Sequence, residues 1–169
     1  MQAARFPAYL QPVPRHAAEP GTSPTAPARR LLSRVELLRH LDAQVDLAPR
    51  APLSFLAVRV TGLDDVLEER GEVGVRFVSR GVGEALLGLC RGTDLPGELG
   101  EGTFGIVLQG SGATAAAAAA ARVQHHLNRL AFLPAGCAVL VGAATGTGGH
   151  GRRLAWAALE MFDRDCCGG

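Results

Sequence analysis

The residues best equipped for chemistry are an arginine and an aspartate three positions apart, Arg91 and Asp94. A guanidinium offers a planar fork of donors to an anionic or acceptor-rich group, and a nearby carboxylate accepts from donors. The same pair also suits a local surface ion pair, worth at most about 1 kcal/mol. Other constellations carry less. Gly146-Thr147-Gly148-Gly149-His150-Gly151 has the spacing of an anion-cradling loop, but too little chain follows it for the rest of a dinucleotide fold, so it reads as a loop. His125 and His126 are adjacent, so on a helix they diverge and cannot share a metal at i, i+4 spacing. Cys90, Cys137, Cys166 and Cys167 form no CxxC pair, and reduced thiols are the simplest reading. Every one of the 17 basic residues is Arg, which excludes Lys-dependent mechanisms such as that of a phosphate-binding P-loop. No metal site and no resident cofactor are expected.

These residues need a scaffold. The chain has 169 residues, 47% of them hydrophobic and 5% aromatic, enough for one domain with a core of small side chains. A net charge of +1 gives no general attraction to nucleic acid or to a membrane surface. No apolar run approaches a membrane span and no signal peptide is evident, so a cytoplasmic location is expected. Residues 1–30 are rich in Pro and Ala, with Pro7, Pro12, Pro14, Pro20, Pro24 and Pro27 blocking helix and ladder; they read as a flexible arm, with Phe6, Tyr9 and Leu10 as a short apolar patch. Residues 31–165 form the domain, and 166–169 a short Cys/Gly tail.

Within the domain, Leu31, Val35, Leu38, Leu41 and Val45 recur at helical spacing and predict an amphipathic helix to about Leu47, ended by Pro49 and Pro52. Leu53–Val60 reads as a strand, and helices follow at about Leu63–Arg70 and Val75–Cys90, the second weakened by Gly81, Gly83 and Gly88. Apolar stretches around Leu99 and over Phe104–Leu108, split by Gly100-Glu101-Gly102-Thr103, predict a hairpin. The alanine run from Ala113 to Leu130 is a helix on propensity, Cys137–Ala143 an interior strand, and Arg152–Arg164 a last helix with Leu154, Ala158, Met161 and Phe162 inward. This order implies an α/β sandwich, a mainly antiparallel central sheet flanked by helices.

The stretch from Arg91 to Leu108 resembles the signature region of GGDEF (diguanylate cyclase) domains, nucleotidyl-cyclase-like sandwiches in which R-x-x-D precedes a Gly-Gly-Asp/Glu-Glu-Phe hairpin and a hydrophobic strand. Asp94 lies six positions before Gly100, as in that family, and Gly100, Glu101, Gly102, Thr103 and Phe104 stand where the signature stands. Leu31–Asp42 is similar to the family's leading helix, Ala120-Ala121-Arg122-Val123 to its A-E-R-I/V stretch, Val141-Gly142-Ala143 to its S-I-G-V-A strand, and Ala155–Leu159 to its last helix.

What the resemblance implies divides in two. A cyclase holds divalent metal with carboxylates to neutralise the triphosphate of GTP. Here Arg59 and Thr103 fall at the two metal-ligand positions and Glu101 replaces the second signature glycine. Leu67 and Arg76 stand where guanine is recognised, and Asp163 where a phosphate-binding Lys belongs. The resemblance therefore implies a degenerate signature and no enzymatic activity. In the family, R-x-x-D is also an inhibitory site for cyclic di-GMP, to which a helix arginine contributes. Arg91, Asp94 and Arg122 fit those three places, implying a cyclic di-GMP receptor that signals to a protein partner or homodimer. A ligand-independent scaffold or dimerisation module is the alternative.

Overall fold

The structure, a computed structural model, describes residues 30–147 and 151–165, without the side chains of 163–165. The arm up to residue 29, the core of the Gly-rich loop and the 166–169 tail lie outside the described residues. The elements are α1 (Arg34–Leu47), β1 (Leu53–Thr61), α2 (Leu63–Leu89), β2 (Leu95–Gly100), β3 (Thr103–Gln109), α3 (Ala113–Leu127), β4 (Ala138–Gly146) and α4 (Gly151–Asp165).

The apolar sequence of β1 places it centrally, in a four-stranded sheet of order β2-β3-β1-β4 with every neighbouring pair antiparallel. Alternate side chains of a strand point to opposite faces, and both faces of β1 are buried. Leu53, Phe55 and Ala57 pack with Val107 against Leu37 and Leu41 of α1 and Ala155, Ala158 and Phe162 of α4. Leu56, Val58 and Val60 pack with Phe104 and Ile106 against Val75, Val78, Val82 and Leu86 of α2 and Val123 and Leu127 of α3. The one polar side chain in β1's buried stretch, Ser54, is satisfied: its hydroxyl donates to the Ser111 carbonyl at 2.6 Å and shares a hydrogen bond with Thr145 Oγ1 at 2.7 Å. This is the antiparallel α/β sandwich the sequence predicts.

Several details differ from expectation. Helix α1 starts at Arg34, because Ser33 and Glu36 form a capping box, each side chain bonding the other's backbone N–H. Leu32 instead continues extended and bridges β2, its N–H donating to Pro96 and its carbonyl accepting from Glu98. Leu41 of the expected stripe is buried together with Leu37, whereas Val35, also of that stripe, is 63% exposed. The two helices predicted after β1 are one span, interrupted only where Gly71 takes φ 64° and ψ −171°. Gly81 in its second half is required by contact: a Cβ there would lie 2.6 Å from the Phe132 ring. β2 begins at Leu95, earlier than expected, since Pro96 and Gly97 hide an edge strand that tolerates both. Helix α3 ends at Leu127, with Asn128 as its C-cap.

The interior strand expected at Cys137–Ala143 is instead the outer strand β4, Ala138–Gly146, with no strand on its far side among the described residues. Its continuous apolar sequence comes from burial on both faces, under α3 and α4, which an edge strand can share with an interior one. In α4, Ala155, Ala158 and Phe162 are buried, whereas Leu154 is half-buried and Met161, expected inward, is 42% exposed. Both lie over β4: Met161 Cβ faces Gly142 and the Leu154 side chain faces Gly146. No helix among the described residues is long and apolar enough to cross a membrane.

Candidate functional site

The predicted hairpin forms between β2 and β3, with Gly100 opposite Thr103 and Glu101-Gly102 at the tip. Gly102 takes φ 65°, a left-handed conformation that favours glycine, while Glu101 keeps a negative φ and an exposed side chain. The Gly102 carbonyl accepts from Val60 N–H at 2.8 Å, which locks the hairpin tip to the end of β1. The same register sets Arg59 directly opposite Thr103. Facing residues on antiparallel strands project to one side of the sheet, so the two positions matched to metal ligands are neighbours in space.

Arg59 is held toward α4, its guanidinium carbon 4.9 Å from the centroid of the Phe162 ring, a cation–π distance. An arginine and a neutral threonine bring a positive charge and no carboxylate to this place, the opposite of the anionic oxygen donors that hold a divalent cation in a nucleotide site. Among the described residues no three His, Cys, Asp or Glu side chains cluster as a metal site. The residues present do not fit the metal that this signature region carries in cyclases.

Leu67 and Arg76 also meet. With Leu63, Asp64, Glu72, Val75 and Glu101 they line a cavity of about 510 Å³ between the two halves of α2 and the hairpin tip. Arg76 is tied to Glu72, 3.2 Å away one helical turn earlier, so its guanidinium is directed along the helix. Asp64 and Glu72 also line it and are not among the residues expected from the sequence. Their only signal is position, one turn from Leu67 or Arg76. The side chain of Asp163 lies outside the described residues.

The second predicted site is a tight turn between α2 and β2. Asp94 N–H donates to the Arg91 carbonyl at 3.1 Å, and the Asp94 carboxylate accepts from the Arg91 N–H at 2.7 Å, closing the turn twice. Asp94 is half-buried and Arg91 exposed; the Arg91 guanidinium makes no hydrogen bond or ion pair among the described residues. Arg122, exposed on α3, comes to the same place. Arg91, Asp94 and Arg122 line one depression of about 150 Å³, floored by Leu108, Ser111 and alanines of α3. Two guanidiniums and an oriented carboxylate therefore converge on a surface kept low by small side chains. Ser111 was not predicted, and a lone serine in a loop gives no signal. His125 and His126 are exposed and diverge as expected.

With this geometry in view, the chain aligns with solved structures over most of its length. It is similar to the GGDEF domain of DgcB from Caulobacter crescentus, solved in complex with c-di-GMP, at a TM-score of 0.72 and 15% identity, covering 82% of this chain and 87% of that one. The chain has the fold of a GGDEF domain. The FimX GGDEF domain from Pseudomonas aeruginosa aligns at a TM-score of 0.71 and 18% identity, covering 79% of this chain and 88% of that one. The active GGEEF domain of a diguanylate cyclase from Vibrio cholerae aligns at 0.66 and 18% identity, covering 80% and 93%. No protein-family model and no curated protein sequence matches the chain. The GGDEF-type fold thus rests on three-dimensional likeness, in agreement with the order of motifs along the chain.

Proposed function

We propose that this GGDEF-type domain is a receptor for cyclic di-GMP without cyclase activity, which passes its ligand state to a protein partner. The observation that carries the receptor reading is the convergence of Arg91, Asp94 and Arg122 on one depression. A cyclic dinucleotide offers these groups guanine edges for the guanidinium forks and the carboxylate, and phosphates for whichever arginine remains. The depression is smaller than the 300–1,000 Å³ or so typical of enclosing ligand sites. The ligand would therefore lie across the surface, reached by the exposed Arg91. DgcB's GGDEF domain was solved with this dinucleotide bound. The loss of catalysis is supported by Arg59 opposite Thr103, which puts a cation and a neutral hydroxyl where metal must be held.

A scaffold that binds no ligand has one observation in its favour. Asp94 already accepts from the Arg91 N–H, which gives the turn a structural reason to keep an aspartate. Titration of cyclic di-GMP into wild type and Arg91→Ala separates the two readings. The Arg91 guanidinium makes no contact that holds the fold, so the variant removes only ligand contacts. Loss of charge-assisted bonds worth about 1.5–3 kcal/mol weakens binding about 10- to 100-fold. Incubation with GTP and Mn²⁺ yields no cyclic di-GMP; product formation would overturn the pseudoenzyme half of the proposal.

A further inference from the structure

The two edges of the sheet are finished differently. The β2 edge carries Pro96, Glu98 and a bulge between Glu98 and Gly100, and it is covered in part by Leu32, bonded to Pro96 and Glu98. These are the means by which natural proteins blunt an exposed edge. The β4 edge has none of them: its nine residues, AVLVGAATG, contain no charge and no proline.

The direction of its backbone groups follows from three bonds. Val139 N–H donates to Asn128 Oδ1 at 2.8 Å, and the Val139 carbonyl accepts from Asn128 Nδ2 at 2.9 Å, on the side away from β1. In an antiparallel strand a residue's N–H and C=O point to the same side, and that side alternates along the chain. Val60, the β1 partner of Val139, accordingly donates to Gly102 on its own far side. Val141, Ala143 and Thr145 therefore also turn their backbone groups outward, and none of these is bonded among the described residues. The Asn128 amide imitates one residue of a neighbouring strand and the edge beyond it is open.

We infer that the β4 edge pairs antiparallel with the β4 edge of a second copy of this chain, joining two sheets across a two-fold axis. Three features favour a second copy. The strand carries no charge, so a self-complementary pairing meets no repulsion. Asn128 occupies the Val139 place and so selects the register centred on Ala143, in which Val141 faces the partner copy's Thr145 and each Ala143 faces the other. Both flanks leave room: on the face of α3 that bears Asn128, Ala117 and Ala121 are exposed and small, and on α4 Met161 stands exposed beside the strand.

Sedimentation velocity with amide exchange tests this. The wild type is a dimer in which the Val141, Ala143 and Thr145 amides exchange slowly. Ala143→Pro removes the central donor without touching the β1 ladder, and the two lost bonds weaken the dimer about thirtyfold. Ala117→Arg, at an exposed helical position, crowds the flank and also dissociates it, while circular dichroism shows both variants folded. A monomeric wild type, or a dimer indifferent to both substitutions, overturns the inference. So does slow exchange of these three amides in a monomer, which would assign the edge to another segment.

Discussion

Asn128, exposed at the end of α3, ties that helix to β4 through its side-chain amide. In Asn128→Ala the Val139 N–H and carbonyl each lose a partner, at 2.8 and 2.9 Å, and the bond from Nδ2 to the Gln124 carbonyl at 3.0 Å disappears. Val139 is 0% exposed, so its backbone groups do not simply return to bulk water. Each net bond is worth about 1 kcal/mol and each orphaned buried group costs about 1–3 kcal/mol, of which water entering the vacated space recovers part. The sum is about 2–4 kcal/mol, or a fall in Tm of about 10 °C for a chain of this size. Asn128→Asp keeps an acceptor for the Val139 N–H but sets a carboxylate oxygen against the Val139 carbonyl, so it fares no better than alanine. Thermal unfolding followed by circular dichroism reads all three proteins. A fall of less than about 2 °C for Asn128→Ala would refute the reasoning, because it would mean that the edge is already hydrated.

Other outcomes follow from the same packing and electrostatics. Phe104 is 1% exposed, and Phe104→Ala costs about 3–5 kcal/mol in chemical denaturation. By contrast Phe77→Ala, at a 62% exposed ring that meets Phe132 only edge-on, costs about 1 kcal/mol; equal losses would contradict the assignment of the core. The Glu36 carboxylate is held well below its ordinary range by the hydrogen bond from the Arg30 guanidinium, and further by the Ser33 backbone and hydroxyl. A depressed folded value means the contribution is complete above the ordinary carboxylate pKa of about 4.3 and is lost as pH falls below it. The Tm advantage of wild type over Glu36→Gln therefore shrinks on acidification, and curves that stay parallel into the acid range would be evidence against this cap. Arg59→Asp combined with Thr103→Glu sets two carboxylates on facing positions and creates a Mn²⁺ site visible by calorimetry; no gain in affinity would mean that these positions are not the metal pair.

Much of this was legible in the sequence, for identifiable reasons. The hairpin is marked by Gly100 and Gly102 between apolar runs, and β1 by its branched and aromatic residues. The resemblance implies that Arg122 joins Arg91 and Asp94, and in the fold the three line one depression. What the sequence hid were choices made by tertiary contact. The start of α1 is fixed by the Ser33–Glu36 box, a local S-x-x-E signal, whereas the face it buries, Leu37 and Leu41, is chosen by the sheet and α4. The position of β4 at an edge could not be read, because burial under α3 and α4 gives it the composition of an interior strand. Asn128 gives no local signal at all, since its partner Val139 is identified only by the fold.

The proposed receptor site on this GGDEF-type fold consists of Arg91, Asp94 and Arg122. Isothermal titration of cyclic di-GMP into the wild-type chain, with Arg91→Ala alongside, tests it most directly. Saturable heat from the wild type, weakened about 10- to 100-fold in the variant, is the predicted result. Absence of heat at micromolar ligand, or equal affinity in the two proteins, would contradict it.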